Sequence, residues 1–414
     1  MGASEKTATA GVSTLPLLPQ DILVEILSKL PAKSLVRFRC VSKLFYALVA
    51  NHAFGVMHRS LSLTLPSRAG ILISISSSRS SPAYYTINLS DENPRRPGIL
   101  QANRLGFLDA EPFLKGSLLR SSSDGLICLS TPNGDFVVCN VSTGQRISLP
   151  RIRFHSSYPP STSAMVGFDS QSKRYKVLMS ARIIHQSSKY SICFEYKHWV
   201  LTLGVDKRWR EIDFTYSHPF SSFDLYPCLS CSNSVYIDGV IYFYYWLAND
   251  DHTPSHIIAF EFGSESYSLI PFPVEGSSSS SPYRCSDYIF GSFALLQVDG
   301  GRLAIVLVHK RGGLCYMDVS TWEKSKGCWE KITMPFPLEE SRTIYQSLVV
   351  RYTTNHVGEI VLLCKNSERF YILVCNLKSE VWRQFGIDGV EKFPFLCPTD
   401  VSMYGTRDNV FSLE

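Results

Sequence analysis

Residues 18–49 read LPQDILVEILSKLPAKSLVRFRCVSKLFYALV. Asp21 stands at the N-cap or first turn of a helix, where its charge suits the helix N-terminus. Ile22, Leu23, Ile26, Leu27 and Leu30 follow at helical spacing and make one broad apolar face. Pro31 stops that helix. A second apolar group holds Leu35, Val36 and Phe38, and a third holds Val41, Leu44, Phe45, Leu48 and Val49. Lys33, Arg37, Arg39 and Lys43 lie between them. The spacing predicts a small all-α module of three short helices. Roughly 35 residues cannot bury this many large aliphatics among themselves. The surplus is covered either by the rest of the chain, as a capping helix pair would be, or by a partner.

Outward from this stretch the pattern changes. Residues 1–14 are small and polar and predict a disordered tail. From about residue 60 the chain reads as short strands separated by turn residues. Residues 76–81, 91–98, 155–163 and 275–281 are rich in Ser, Pro and Gly and predict loops. Within the strand-rich part a motif recurs: an apolar strand, a polar residue, a short turn, then an aromatic or aliphatic residue. Its polar markers are Asn88, Asn140, Asp206, Glu261, Asp318 and Asn376, at intervals of roughly 50–65 residues. A strand-rich period of that length predicts propeller blades, about six of them, because a lone four-stranded blade cannot bury both faces. Trp209, Trp329 and Trp382 are expected to pack blade against blade. The last stretch, residues 393–414, is expected to give a strand that joins the first blade and closes the ring, hiding sheet edges. The chain thus divides into a tail (1–14), a helical module (15–55) and a β-propeller-like repeat domain (60–414), mainly β overall.

Composition narrows the function classes. The formal charge is +5, but Lys and Arg never form a run of five, and a basic stripe for nucleic acid is missing. The 12 Cys are scattered singly, many inside apolar runs, as buried free thiols are. The opening MGASEKTATAGVST has no apolar core of a secretory signal, and the longest apolar run, residues 240–248, is too short to span a bilayer. Lys6 breaks the myristoylation pattern. These features predict a reducing compartment, cytoplasm or nucleus, without membrane attachment.

Motifs of chemistry are thin. There is no G-x-S-x-G, no phosphate-cradling P-loop and no H-E-x-x-H. Cys228-Leu229-Ser230-Cys231 is a lone C-x-x-C without a second pair, which argues against structural zinc. Pro254 lies between His252 and His256 and argues against a helix presenting both. Asp250-Asp251 and Glu339-Glu340 fall in turn-like stretches. No cofactor or metal is expected.

The residues of the front module carry a resemblance. Leu18-Pro19, Asp21, Glu25-Ile26-Leu27, Leu30-Pro31, Lys33-Ser34-Leu35 and the run from Arg37 to Lys43 closely resemble the F-box of plant F-box proteins. Phe45 stands where that family most often has Trp. Further on, Asp124-Gly125-Leu126-Ile127-Cys128-Leu129, Asn140-Val141-Ser142-Thr143-Gly144 with Leu149-Pro150, Val166-Gly167-Phe168-Asp169, Tyr175-Lys176-Val177-Leu178 and the run from Val235 to Tyr242 are similar to the family's F-box-associated, kelch-related domain. The resemblance implies a substrate-recognition subunit of an SCF (adaptor–cullin–F-box) E3 ubiquitin ligase, non-catalytic itself. Its partners would be an adaptor of the S-phase-kinase-associated family, a cullin through that adaptor, and a protein substrate. Ubiquitin transfer would be promoted by proximity. Carried over, Leu18, Pro19, Ile22, Leu23, Ile26, Leu27, Leu30, Leu35, Val36, Val41 and Phe45 are the adaptor-facing candidates, some of which must instead hold the helices together. Two alternatives stand beside this reading: an F-box module that binds the adaptor outside ubiquitin transfer, and a propeller enzyme, since fold does not fix function.

Overall fold

A computed structural model describes residues 18–77, 80–92, 96–154, 161–188, 191–213, 234–244, 256–273, 293–311, 314–337, 348–366, 369–391 and 401–413. Residues 1–14, Cys228, Cys231, His252, Asp250, Asp251, Glu339, Glu340 and much of the expected loops lie outside them.

The described residues open with four helices: α1 (Gln20–Ser28), α2 (Ala32–Phe38), α3 (Lys43–Ala50) and α4 (His52–Thr64). Pro19 and Pro31 precede α1 and α2, and Ser42 caps α3 by accepting from Phe45 N–H. The fourth helix departs from the expectation of three helices followed by strands from about residue 60. Asn51 caps α4, accepting from Ala53 N–H and Phe54 N–H. Its buried face is Phe54, Gly55, His58 and Ser62, mostly small or polar, so it leaves little apolar periodicity to read.

Twenty-four strands follow among the described residues. Blade 1 contains β1 (Ala69–Ser77), β2 (Ser80–Glu92) and β3 (Ile99–Arg104). Blade 2 is β4 (Leu118–Ser123), β5 (Leu126–Ser130), β6 (Phe136–Asn140) and β7 (Arg146–Ser148). Blade 3 is β8 (Ser161–Asp169), β9 (Arg174–Ser188), β10 (Ser191–Thr202) and β11 (Arg210–Ile212). Blade 4 is β12 (Val235–Ile237), β13 (Val240–Phe243), β14 (His256–Glu261) and β15 (Ser266–Pro271). Blade 5 is β16 (Ala294–Val298), β17 (Arg302–Arg311), β18 (Leu314–Glu323) and β19 (Cys328–Pro335). Blade 6 is β20 (Leu348–Thr354), β21 (Ile360–Lys365), β22 (Phe370–Asn376) and β23 (Val381–Asp388). The last strand, β24 (Val401–Arg407), returns to blade 1 and pairs antiparallel with β1, Ile71 opposite Gly405. Each blade therefore has four antiparallel strands, and the expected closing strand is found. The outer strands of blades 6 and 1 also meet, β23 running parallel to β3 with Ile387 opposite Leu100.

The innermost strands form a closed circuit: β24 lies beside β4, β4 beside β8, blade 3 beside blade 4, β12 beside β16, β16 beside β20, and β20 beside β24. This is a six-bladed β-propeller. The core lies between blades. Val306, Met317, Leu362 and Leu373 are packed together from blades 5 and 6, and Leu126, Val138, Val166 and Val177 from blades 2 and 3. Trp209 Nε1 donates to the carbonyl of Pro150 at 2.6 Å, and Trp329 Nε1 to that of Pro271 at 2.7 Å. Trp382 meets Phe336 edge-on at 5.3 Å. Each of these rings reaches back to the end of the preceding blade, the role expected of it.

Five of the six polar markers lie at or near the end of the third strand of a blade, one per blade. Asn140 Oδ1 accepts from Ser142 and Thr143 N–H, and Asn376 Oδ1 from Lys378 and Ser379 N–H, closing the turn to the fourth strand. Asp318 differs: it sits inside β18 and pairs with Lys331 across the ladder at 2.9 Å.

Candidate protein-interaction face

The helices divide the apolar residues of the front module into two sets. Leu27 and Leu35 point inward and pack with Ala32, Leu48, Val49, Phe54 and Val410. Leu35 is wholly buried, so these two hold the helices together and cannot touch a partner. Leu18, Ile22 and Ile26 are 50%, 44% and 47% exposed. Ile22 and Ile26, four apart, share one side of α1, and Leu18 stands in the extended segment just before its start. Pro19 is exposed beside them, and Val41 is 68% exposed at the α2–α3 junction. Leu23, Leu30, Val36 and Phe45 are half-buried, and Phe45 rests edge-on against Phe38 at 5.5 Å. The inward set supports a face that stays apolar and open, the surface signature of a protein-binding site.

Two further large residues, Leu44 and Tyr46 of α3, are exposed, and the Arg39 guanidinium lies 4.8 Å from the Tyr46 ring centre. Their exposure follows from Phe45 between them turning toward the module, which period alone does not show. Lys33, Arg37 and Lys43 are exposed around the apolar row. Lys29 pairs with Glu25 on the open side of α1, a contact of little energetic weight.

The face is mounted on the propeller by α4. In blades 2 and 3 the turn between the first and second strands meets α4. His52 Nε2 lies 3.0 Å from the Lys173 carbonyl in one such turn. Arg59 forms an ion pair with Asp124 in another, both side chains only about a tenth exposed, at 12% and 11%. The Arg59 guanidinium also covers the Phe168 ring at 3.8 Å. Burial is the largest influence and works against its charge, yet attraction to Asp124, Tyr175 and Tyr236 and the hydrogen bond to Asp124 together raise its pKa above the ordinary value. The Asp124-Gly125 turn has positive φ at both residues, 47° and 84°. A Cβ at Gly125 would lie 2.1 Å from the Arg407 carbonyl oxygen, so only glycine fits. Arg68, buried, donates to the carbonyls of Ser28 and Leu30 and ties the end of α1 to the start of β1.

Beneath α4 the propeller channel holds a chamber of about 350 Å³, lined among others by Arg59, Leu63, Asp124, Tyr236, Asp238 and Arg407. Among the described residues, no three His, Cys, Asp or Glu side chains cluster to hold a metal ion. Burial pushes the thiols of Cys139, Cys364 and Cys375 up to about 12, so all three stay protonated at neutral pH and are poor nucleophiles. No helix among the described residues is long and apolar enough to cross a membrane.

Comparison with known families matches residues 15–57 to the F-box domain and residues 107–408 to the F-box associated beta propeller domain. Among curated proteins the chain is similar to F-box protein At4g19940 of Arabidopsis thaliana, 26% identical with 92% of each chain covered. It is also similar to F-box/kelch-repeat protein At4g19930 of the same plant, 25% identical over 92% of this chain and 91% of the other. Among solved structures, the SapL1 lectin in complex with alpha methyl fucoside covers 81% of this chain and 100% of its own at 13% identity and a TM-score of 0.38.

Proposed function

The chain belongs to the F-box proteins that carry an F-box-associated β-propeller domain, and from that premise we propose that it is the substrate-recognition subunit of an SCF-type E3 ubiquitin ligase. In this reading the F-box, residues 15–55, docks on an adaptor of the S-phase-kinase-associated family, and the adaptor docks on a cullin. The propeller, residues 60–414, holds a protein substrate, in the cytoplasm or nucleus. The chain supplies no chemistry; it holds a substrate lysine near a charged conjugating enzyme, and proximity does the rest. The observation that carries the reading is the open apolar row of Leu18, Ile22 and Ile26 with Val41, backed by the packed layer of Leu27 and Leu35. Leu23, Leu30, Val36, Phe45 and Pro19 would complete the seat from the sides. Burying half of each exposed aliphatic is worth about 1 kcal/mol per residue, so the row yields useful affinity only as a set.

Strand direction gives the substrate a side. The strands that border residues 76–81, 155–163, 249–255 and 277–281 have those ends away from α4, while most of the bordered residues themselves lie outside the described ones. We place the substrate on that far face, since α4 and the front module cover the near one. The test is reconstitution. The purified chain is expected to co-purify with the adaptor, and Ile22→Asp with Ile26→Asp to abolish this without lowering the unfolding midpoint. No binding by the unaltered chain, or equal binding by the double variant, overturns the assignment. Adaptor binding without cullin engagement would instead select the reading outside ubiquitin transfer.

A further inference from the structure

We propose that residues 408–413 act as a clamp that completes the F-box and fixes its orientation on the propeller, with Asp408, Val410 and Phe411 as positioning residues for ubiquitin transfer; this last role rests on the function proposed above. Both family matches leave the segment's outer residues out, the F-box ending at 57 and the propeller at 408.

The segment presents alternate residues to two bodies. On the F-box side, Asp408 Oδ2 accepts from Ala32 N–H at 2.6 Å. That amide opens α2, whose own N-cap is Pro31 with no side-chain acceptor, so the cap comes from 376 residues away. Asp408 N–H in turn donates to the Arg68 carbonyl at 2.9 Å. Among the described residues, Val410 is the one buried member of the F-box core from outside the helices. On the propeller side, Asn409 Nδ2 donates to the Asp124 carbonyl at 2.6 Å and to the Tyr175 hydroxyl at 2.9 Å. Phe411 lies edge-on to Tyr175 at 5.0 Å and to Phe168 at 6.3 Å. Gly55 of α4 lets that ring in: a Cβ there would come within 3.3 Å of Phe411. A continuous strip of six residues is thus core to both bodies, and loosening it frees one from the other.

The experiment is hydrogen exchange on the full chain, unaltered and with Asp408→Ala plus Val410→Ser. Amides of α1–α3 are expected to exchange at least about tenfold faster in the double variant, while the strands of blades 3 to 6 keep their protection. Unchanged exchange in α1–α3, or equal loosening of every blade, overturns the clamp. Should the double variant not fold, Asp408→Ala alone is read the same way. A second arm uses Phe411→Ala in the reconstituted ligase: adaptor affinity and substrate affinity hold while the transfer rate falls about tenfold, equivalent to about 1.4 kcal/mol at the transition state. An unchanged rate overturns the positioning role. Failure of the unaltered chain to bind the adaptor removes the ligase assignment but leaves the exchange result to decide the clamp.

Discussion

Arg59 and Asp124 are opposite charges held almost out of water between a helix and a turn. Removing one leaves the other buried and unpaired, a costlier outcome than losing the pair. Arg59→Met is expected to lower stability by about 3 kcal/mol in denaturant titration, and adding Asp124→Asn to recover part of the loss. Asn tolerates the positive φ of that turn. A second residue reports through pH. His198 is buried against the Ser180 hydroxyl at 2.9 Å, and burial lowers its pKa from 6.5 to about 4. It folds neutral, while the unfolded chain takes up a proton below pH 6.5. Stability is therefore full above 6.5 and falls by up to roughly 3 kcal/mol as pH drops toward 4. His58, also pushed down by burial, works in the same direction. Unfolding midpoints across that range check the slope, and His198→Gln is expected to flatten it. Neither residue stood out in the sequence, because a single Arg or His carries no period; only the fold shows what each one faces.

At the scale of elements, the apolar period of α1 was readable but its two sides were not. Ile26 and Leu27 are neighbours of like hydropathy, one open and one sealed. Which side turns inward depends on Phe54 and Val410, far along the chain. Leu35→Ala is expected to cost about 2–5 kcal/mol. Ile22→Asp should stay within about 0.5 kcal/mol in the same titration, as surface changes do. Helix α4 is hidden from the sequence for a related reason: it packs partly on polar turns, so its buried face mixes Phe54 with Gly55, His58 and Ser62. The Trp positions were legible because the motif repeats and a large ring beside a turn has few alternatives to a neighbouring blade. Trp329→Ala, which removes the hydrogen bond to Pro271 and half-buried ring contacts, is expected to cost about 2 kcal/mol. Calorimetry that showed no loss would mean that blades 4 and 5 are held by their aliphatic core alone.

At the scale of the whole molecule, the number of blades was legible from six polar markers, since each blade spends one polar residue near its third strand. The marker inside β18 shows how loose the rule is: Asp318 is there to meet Lys331, not to close a turn. Between blades 3 and 4, Lys176, 8% exposed, joins Asp169 and Glu265, and Arg210 grips Glu265 from the other side. The hydrogen bond from Arg210 is the largest cause holding the Glu265 carboxyl below its ordinary 4.5. Its contribution is present above 4.5 and is lost as pH falls through the lowered value. The mounting of the F-box was not legible at all, because it joins residues 32, 59, 68 and 408–413, whose separation in the chain leaves no local pattern.

The strand that shuts the ring also has a meaning in time. Residues 401–413 leave the ribosome after every other blade has been made, and blade 1 waits for its innermost strand until then. A nascent chain arrested before that point carries an open β1 edge and a front module lacking Val410 and the Asp408 cap. In the function proposed above, competence to dock is then withheld until synthesis has passed the propeller, and a truncated product leaves the adaptor free.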